Sequence, residues 1–272
     1  MANILALANQ KGGVGKTTTA VNLAASLGAI SRRVLIIDLD PQGNATMGCG
    51  VNKHALEMTS GDVLLRKAKI TDAIVQVEGA AYAVLPTNSD QTVAEIELIT
   101  ATEREFRLRQ ALESVTNRFD YVLIDCPPAL NTLTVNALVA ADGVIIPMQC
   151  EYYALEGLSA LVSTIERIKQ TANPGLQITG LLRTMFDPRN NLANDVSNQL
   201  ISHFGERVFE TVIPRNVRLA EAPSHGLPVL LYDKASRGAL AYLALAGELL
   251  RRERRDASAH SSQANPLRTR AL

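Results

Sequence analysis

The sequence predicts an α/β protein: a doubly wound, mostly parallel sheet with helices on both faces, built as one domain. Three observations carry that expectation. Short apolar runs alternate with longer stretches of helical periodicity, the pattern of βα crossover units. A loop rich in glycine and lysine joins the first run to the first helix. Two later runs end in aspartate, at the strand edge where ligands gather in open α/β sheets. With 272 residues, 47% of them hydrophobic, the chain can cover both faces of such a sheet.

In chain order, residues 4–8 form the first strand-length apolar run. Residues 17–27 follow as a helix, with Ala20, Leu23, Ala24 and Leu27 on one face. Further strands are expected at 34–37, 82–85, 121–124, 143–147 and 178–182, and helices at 103–116, 131–141, 155–171, 194–204 and 235–252. In the stretch 155–171, Leu155, Leu158, Leu161, Val162 and Ile165 fall at helical spacing, which reads as a core face and not as a membrane or partner face. From Asp256 the chain turns small and polar. Residues 1–255 are therefore expected to form the domain, and 256–272 an unstructured tail.

Charge and cysteines exclude several classes. The formal net charge is zero, so bulk charge predicts neither nucleic-acid nor membrane binding, and any DNA affinity must come from a local patch. Cys49, Cys126 and Cys150 stand apart with no C-x-x-C pair, as reduced thiols of a cytosolic protein do. The chain enters a strand directly, so no signal peptide is expected, and no apolar run approaches the ~20 residues of a membrane span.

Residues 10–18 read Gln-Lys-Gly-Gly-Val-Gly-Lys-Thr-Thr. Gly15, Lys16 and Thr17 complete the phosphate-loop pattern G-x-x-x-x-G-K-[ST], while Gln10 replaces its first glycine and Lys11 adds a second lysine. The N–H groups of Gly12, Gly13, Val14 and Gly15, with the helix N-terminus, form an anion cradle. In that cradle Lys16 meets the β- and γ-phosphates of a nucleotide, the Thr17 hydroxyl holds Mg²⁺, and Thr18 adds a hydroxyl near the α-phosphate. Lys11 lies across the loop from Lys16. There it either faces water or meets phosphates bound to a facing subunit, as an arginine finger does in trans.

Two further segments extend the chemistry. The strand at 34–37 runs into Asp38-Leu39-Asp40-Pro41-Gln42-Gly43. Asp40 is the candidate for orienting the attacking water, Gln42 a helper, and Asp38 a support for Mg²⁺ or for the Thr17 hydroxyl. The strand at 121–124 runs into Asp125-Cys126-Pro127-Pro128, the Walker B layout, which sets Asp125 near Mg²⁺ directly or through a water. The prolines impose a stiff turn suited to a segment that moves with the γ-phosphate. Lys16 and Asp40, joined by Lys11 where it meets phosphates, then form the catalytic set, acting by positioning and charge stabilisation. Ser224, Glu221 and His225 lie close in sequence, but no nucleophile-elbow pattern supports a hydrolase triad.

The string K-G-G-V-G-K-T-T resembles the signature-lysine (deviant Walker A) family of nucleotide-sandwich dimers, and that resemblance puts Lys11 in trans. D-L-D-P-Q-G-N at 38–44, I-D-C-P-P at 124–128, P-M-Q-C-E-Y-Y-A-L-E-G-L at 147–158 and V-I-P-R-N-V-R-L-A-E-A-P-S-H-G at 212–226 resemble ParA/Soj-type chromosome-partition ATPases, over about residues 2–250. The resemblance implies a cytoplasmic, nucleoid-associated ATPase switch. ATP closes a homodimer, the dimer binds double-stranded DNA without sequence preference, and a ParB-type centromere-binding partner stimulates hydrolysis and release. With no helix-turn-helix segment before the loop, the short chromosomal form is expected. The resemblance also places adenine contacts on Pro214 and Asn216 and DNA contacts on Arg189 and Arg218. Arg215 and Arg237 are secondary DNA candidates by the same phosphate logic. The cluster Arg251, Arg252, Arg254 and Arg255 is a solvated helix end or a further DNA contact.

Three alternatives share the loop. A membrane-positioning ATPase of the MinD type needs a C-terminal amphipathic helix, and 257–272 offers only Leu267 and Leu272 as large apolar side chains. Iron–sulfur carriers need gathered cysteines. A partition ATPase with a non-DNA cargo is compatible with every residue above.

Overall fold

The computed structural model describes residues 2–152 and 154–263. Its strands are β1 (Asn3–Leu7), β2 (Val34–Asp38), β3 (Val75–Gln76), β4 (Tyr82–Leu85), β5 (Tyr121–Asp125), β6 (Gly143–Gln149) and β7 (Gln177–Thr184). They form one sheet in the order β3-β4-β2-β5-β1-β6-β7, parallel throughout except for the β3–β4 pair. The chain leaves β1 for β2 and β4 on one side, returns through β5, and then builds β6 and β7 on the other. That reversal places the topological switch point at the ends of β1 and β5, where open α/β sheets bind ligands.

Between the strands lie α1 (Lys16–Ala29), α2 (Asn44–Gly48), α3 (Ser60–Leu64), α4 (Ile70–Ala73), α5 (Gln91–Ile99), α6 (Arg107–Leu112), α7 (Thr132–Ala140), α8 (Ala154–Thr171), α9 (Asn191–Phe204), α10 (Val217–Glu221), α11 (Val229–Tyr232) and α12 (Arg237–Gln263). Every residue of β2 and β5 is buried, as parallel strands covered on both faces require. Alternate positions serve two cores. Leu35, Ile37, Val122 and Ile124 pack under α3 to α9, and Val34, Ile36, Tyr121 and Leu123 pack under α1, α2 and α10 to α12. The fold is thus the doubly wound, mostly parallel α/β sheet that the alternating runs predict.

The differences have local causes. The expected helix at 103–116 shrinks to α6, bounded by 3₁₀ turns at Arg104–Phe106 and Thr116–Arg118, with Glu103 at φ +52°. Helix α5 carries an inverted pattern. It buries Gln91, Ala94 and Leu98 while Val93, Ile96 and Ile99 are exposed, so of its large apolar residues only Leu98 marks its inner face. Strand β3 is two exposed residues with no hydrophobic signal. The expected core face of α8 is present, with Leu158, Leu161 and Ile165 buried.

Helix α12 passes the expected end at 252 and runs to Gln263, so residues 256–263 are helix where an unstructured tail was expected. Ala257 and Ala259 supply helix propensity that small polar neighbours do not cancel. The rest of that segment, 264–272, lies outside the described residues. Among the described residues no helix is long and apolar enough to cross a membrane.

Candidate active site

The loop after β1 is mounted on the neighbouring strands. Asn9 Nδ2 donates to the Pro147 carbonyl at 2.8 Å, and Asn9 Oδ1 accepts from Lys11 N at 3.0 Å. At the other end, Thr184 Oγ1 donates to the Val14 carbonyl at 2.7 Å. Gly13 and Gly15 sit at φ +73° and +88°, and a Cβ on Gly13 would meet nothing within 4 Å. The need for glycine at Gly13 is therefore one of backbone conformation, not space. Gly15 caps α1 without a side-chain hydrogen bond, and no acidic residue occupies the first turn. The leading N–H groups of α1 stay available to an anion.

Lys16, 6% exposed, folds back so that its Nζ donates to the Lys11 carbonyl at 3.2 Å. Burial lowers its pKa from the ordinary lysine value, and the charge of Asp125 opposes that shift. Lys11, Gly12 and Gly13 are exposed.

Sheet register brings the strand-end carboxylates together. Asp38 and Asp125 are direct partners across β2 and β5, and Asp125 pairs with Leu7 of β1 on its other side. Both carboxyls are fully buried, yet their surroundings differ. Asp38 Oδ2 accepts from Thr46 N and Thr46 Oγ1, each at 2.8 Å, and Oδ1 accepts from Asp40 N at 3.1 Å. Asp38, expected beside Mg²⁺ or the Thr17 hydroxyl, is turned instead toward α2 and its own loop. Burial pushes its pKa up to about 6 against those hydrogen bonds.

Neither oxygen of Asp125 has a hydrogen bond of full geometry, although the Thr17 hydroxyl is near enough to lower its pKa. Burial, followed by the charge of Asp38, holds the Asp125 carboxyl well above the usual carboxylate range. A dry, unpaired carboxylate beside a phosphate-loop threonine fits a hard divalent cation, which takes oxygen ligands and removes the desolvation cost. Asp40 is half-buried, and its Oδ1 accepts from Gln42 N at 3.0 Å.

The remaining candidates are placed as follows. Lys11 Nζ forms an ion pair with Glu151, just beyond β6. Pro214 forms an isolated bridge with Phe186, and Asn216 caps α10 by accepting from Leu219 N at 3.3 Å. Residues 184–186 therefore link the phosphate loop to the Pro214 segment. Arg189 is held in a fork by Asp187, with Nε–Oδ1 at 2.9 Å and Nη2–Oδ2 at 2.7 Å. Arg218 pairs with Glu221 and Asp233.

Arg189, Arg215 and Arg237 line one cleft of about 340 Å³ together with Phe186 and Pro214; Arg218 does not line it. Within the arginine cluster of α12, Arg252 bonds Glu248 and the Val208 carbonyl and lies 4.3 Å over the Phe209 ring, a structural role. His225 stacks on Tyr232 and Ser224 Oγ donates to the Glu221 carbonyl, so these residues form no triad. Thr46, Thr184 and Glu151 escaped the sequence reading. Thr184 and Glu151 meet the loop from far along the chain, and Thr46 sits in a short helix without a motif of its own.

A phosphate loop after β1, a buried aspartate ending β5 and this sheet order define the class of P-loop ATPases. The family model described as an AAA domain matches residues 2–178. The chain is 52% identical to the chromosome partitioning protein ParA of Caulobacter vibrioides, over 92% of this chain and 95% of that protein. It is 51% identical to the sporulation initiation inhibitor protein Soj of Bacillus subtilis, over 92% and 98%. Among solved structures, cobyrinic acid a,c-diamide synthase from Mycobacterium smegmatis with bound ADP and magnesium is similar, with 37% identity, a TM-score of 0.82, and coverage of 93% and 96%. The chain belongs to the ParA/Soj family of chromosome-partitioning ATPases.

The buried carboxylates make apo-protein stability depend on pH. Asp38 holds its proton to about pH 6 when folded and to 3.8 when unfolded, and Asp125 shifts the same way. The folded state binds more protons in that window, so stability falls as pH rises through it. Without divalent cation, Asp125→Asn should therefore melt higher than wild type at pH 8, a gain of about 1–3 kcal/mol, shrinking toward pH 5. Thermal unfolding across pH checks this; an unchanged or lower melting temperature at pH 8 contradicts an unpaired charge.

Proposed function

We propose that this protein is a Mg²⁺-dependent, ATP-hydrolysing switch for chromosome segregation. What carries the reading is the orphaned Asp125 carboxylate facing a phosphate loop whose donors and Lys16 await an anion. ATP phosphates would lie on the N–H groups of 12–17, with Lys16 transferred from the Lys11 carbonyl to the β- and γ-oxygens. Bound at Thr17 and Asp125, Mg²⁺ supplies charge neutralisation to those phosphates. Asp40, half-exposed on its turn, orients the attacking water. Asp38 acts through that turn and not as an open ligand. Pro214 and Asn216 take the adenine side, next to Phe186.

Lys11 lies on the exposed rim of the loop, where a second copy could present its nucleotide; reaching it requires Lys11 to leave Glu151. This geometry supports an ATP-dependent homodimer. The dimer binds double-stranded DNA through phosphate contacts, and a ParB-type partner stimulates hydrolysis and release. The protein would then travel on the nucleoid. The cleft shared by Arg189, Arg215 and Arg237 supports the DNA side, with Arg218 as a separate contact.

Titration with non-specific duplex in ATP, ADP or no nucleotide, at two salt concentrations, tests the reading. Salt-sensitive binding only with ATP is expected; no binding in any state removes DNA as the track and leaves another cargo. Arg215→Ala and Arg237→Ala should each reduce the slope of log affinity against log salt by about 1 while ATP affinity holds. For the chemistry, Asp40→Ala should retain ATP binding and dimerisation while turnover falls about 100-fold or more. Normal turnover by that variant would show that another group places the water.

A further inference from the structure

Behind Asp40 lies a circuit of polar side chains in a dry interior. Asp38, Thr46, Ser60, Thr87 and Gln91 are all fully buried. Thr46 Oγ1 donates to Asp38 Oδ2 at 2.8 Å and accepts from Thr87 N at 3.0 Å. Thr87 Oγ1 and Ser60 Oγ both reach Gln91 Oε1, at 3.0 and 3.1 Å, and Ser60 Oγ also lies 2.7 Å from the Asp38 carbonyl. The path runs from the end of β2 through α2, the segment after β4, and the first residues of α5 and α3, then back to Asp38.

Within this circuit Thr46 has a singular position. Its hydroxyl carries one proton, and that proton is committed to Asp38 while its oxygen receives Thr87 N. Its β-branched side chain restricts χ1 and so fixes the hydroxyl's direction. Asp38 in turn accepts from Asp40 N, and the Asp40 turn closes by Gly43 N donating to the Asp40 carbonyl at 2.8 Å. Gly43 sits at φ +61°, and a Cβ there would stand 2.9 Å from the Thr87 carbonyl oxygen, so α2 begins pressed against the same segment. The Asp40 turn is therefore held from both ends by groups that Thr46 joins.

Stability alone does not account for the polarity. Gln91 Nε2 is buried without a partner, and same-shape apolar replacements of a buried hydrogen-bonded set are often neutral or better. What such a set does provide is a single geometry for the groups it ties together.

We propose that Thr46 is a positioning residue for hydrolysis, setting the Asp38 carboxylate and through it the place of Asp40. This rests on the reading that Asp40 orients the water. The test compares Thr46→Val and Thr46→Ser in the full chain, by Mg-ATP turnover and by calorimetric ATP binding. Thr46→Val should lower kcat about tenfold or more, the cost of a small misplacement, with ATP Kd within about threefold of wild type. Thr46→Ser should restore most of the rate. In an Asp40→Ala background, Thr46→Val should cost nothing further, because both act on one water.

Wild-type turnover by Thr46→Val, equal failure of Thr46→Ser, loss of ATP affinity in parallel with rate, or an additive loss in the double variant overturns the proposal. If Thr46→Val does not fold, Gln91→Met removes the acceptor shared by Ser60 and Thr87 while leaving Thr46 in place. A lower kcat at unchanged KM is then expected, and an unchanged kcat overturns it. Normal turnover by Asp40→Ala would instead bring down the underlying reading, a result distinguishable from failure at Thr46 alone.

Discussion

Two carboxyls, Asp38 and Asp125, stand opposite each other across β2 and β5, both fully buried. The register of two fully buried strands leaves no freedom to separate them, and each resolves the cost differently. Asp38 is supplied with three donors by α2 and its own loop. Asp125 is left without any of full geometry. One carboxylate thus becomes an anchor for backbone, and the other keeps its lone pairs unengaged. That asymmetry organises the turn at Asp40 on one side and the phosphate loop on the other.

The phosphate loop depends on distant strands as much as on its own glycines. Asn9 ties its start to β6, and Thr184 ties its end to β7. Immediately after Thr184, Met185 sits at φ +49°, a conformation that costs a non-glycine residue energy and persists only where surroundings impose it. Phe186 follows and bridges Pro214, so the strand end that steadies the phosphate loop also sets the segment proposed for adenine. A ligand spanning both would bind to one continuous piece of backbone.

The cations proposed to face other molecules are mostly engaged within the chain. Lys11 pairs with Glu151, Arg189 with Asp187, and Arg218 with Glu221 and Asp233. These pairs are largely solvent-exposed, where ion pairs contribute little and salt weakens them. A phosphate from ATP or DNA would compete with such partners at small cost. Arg215 and Arg237 have no ion pair of this kind among the described residues, and they share the cleft with Arg189.

The core strands along the chain, the mostly parallel sheet and the phosphate loop were determined by the sequence itself. Apolar runs such as those of β2 and β5, and the Gly13–Thr17 string, are local patterns whose physics needs no distant partner. No local pattern marked α5, whose apolar Val93, Ile96 and Ile99 face outward, and at residues 256–263 composition concealed a helix. Tertiary structure alone decided that Asp38 turns to Thr46, that Thr184 steadies the loop, and that Arg215 and Arg237 join Arg189. Each of those depends on hydrogen bonds or surfaces built from separated segments of chain. Such contacts leave no periodicity in the sequence, because their geometry exists only after the sheet has brought the strand ends together.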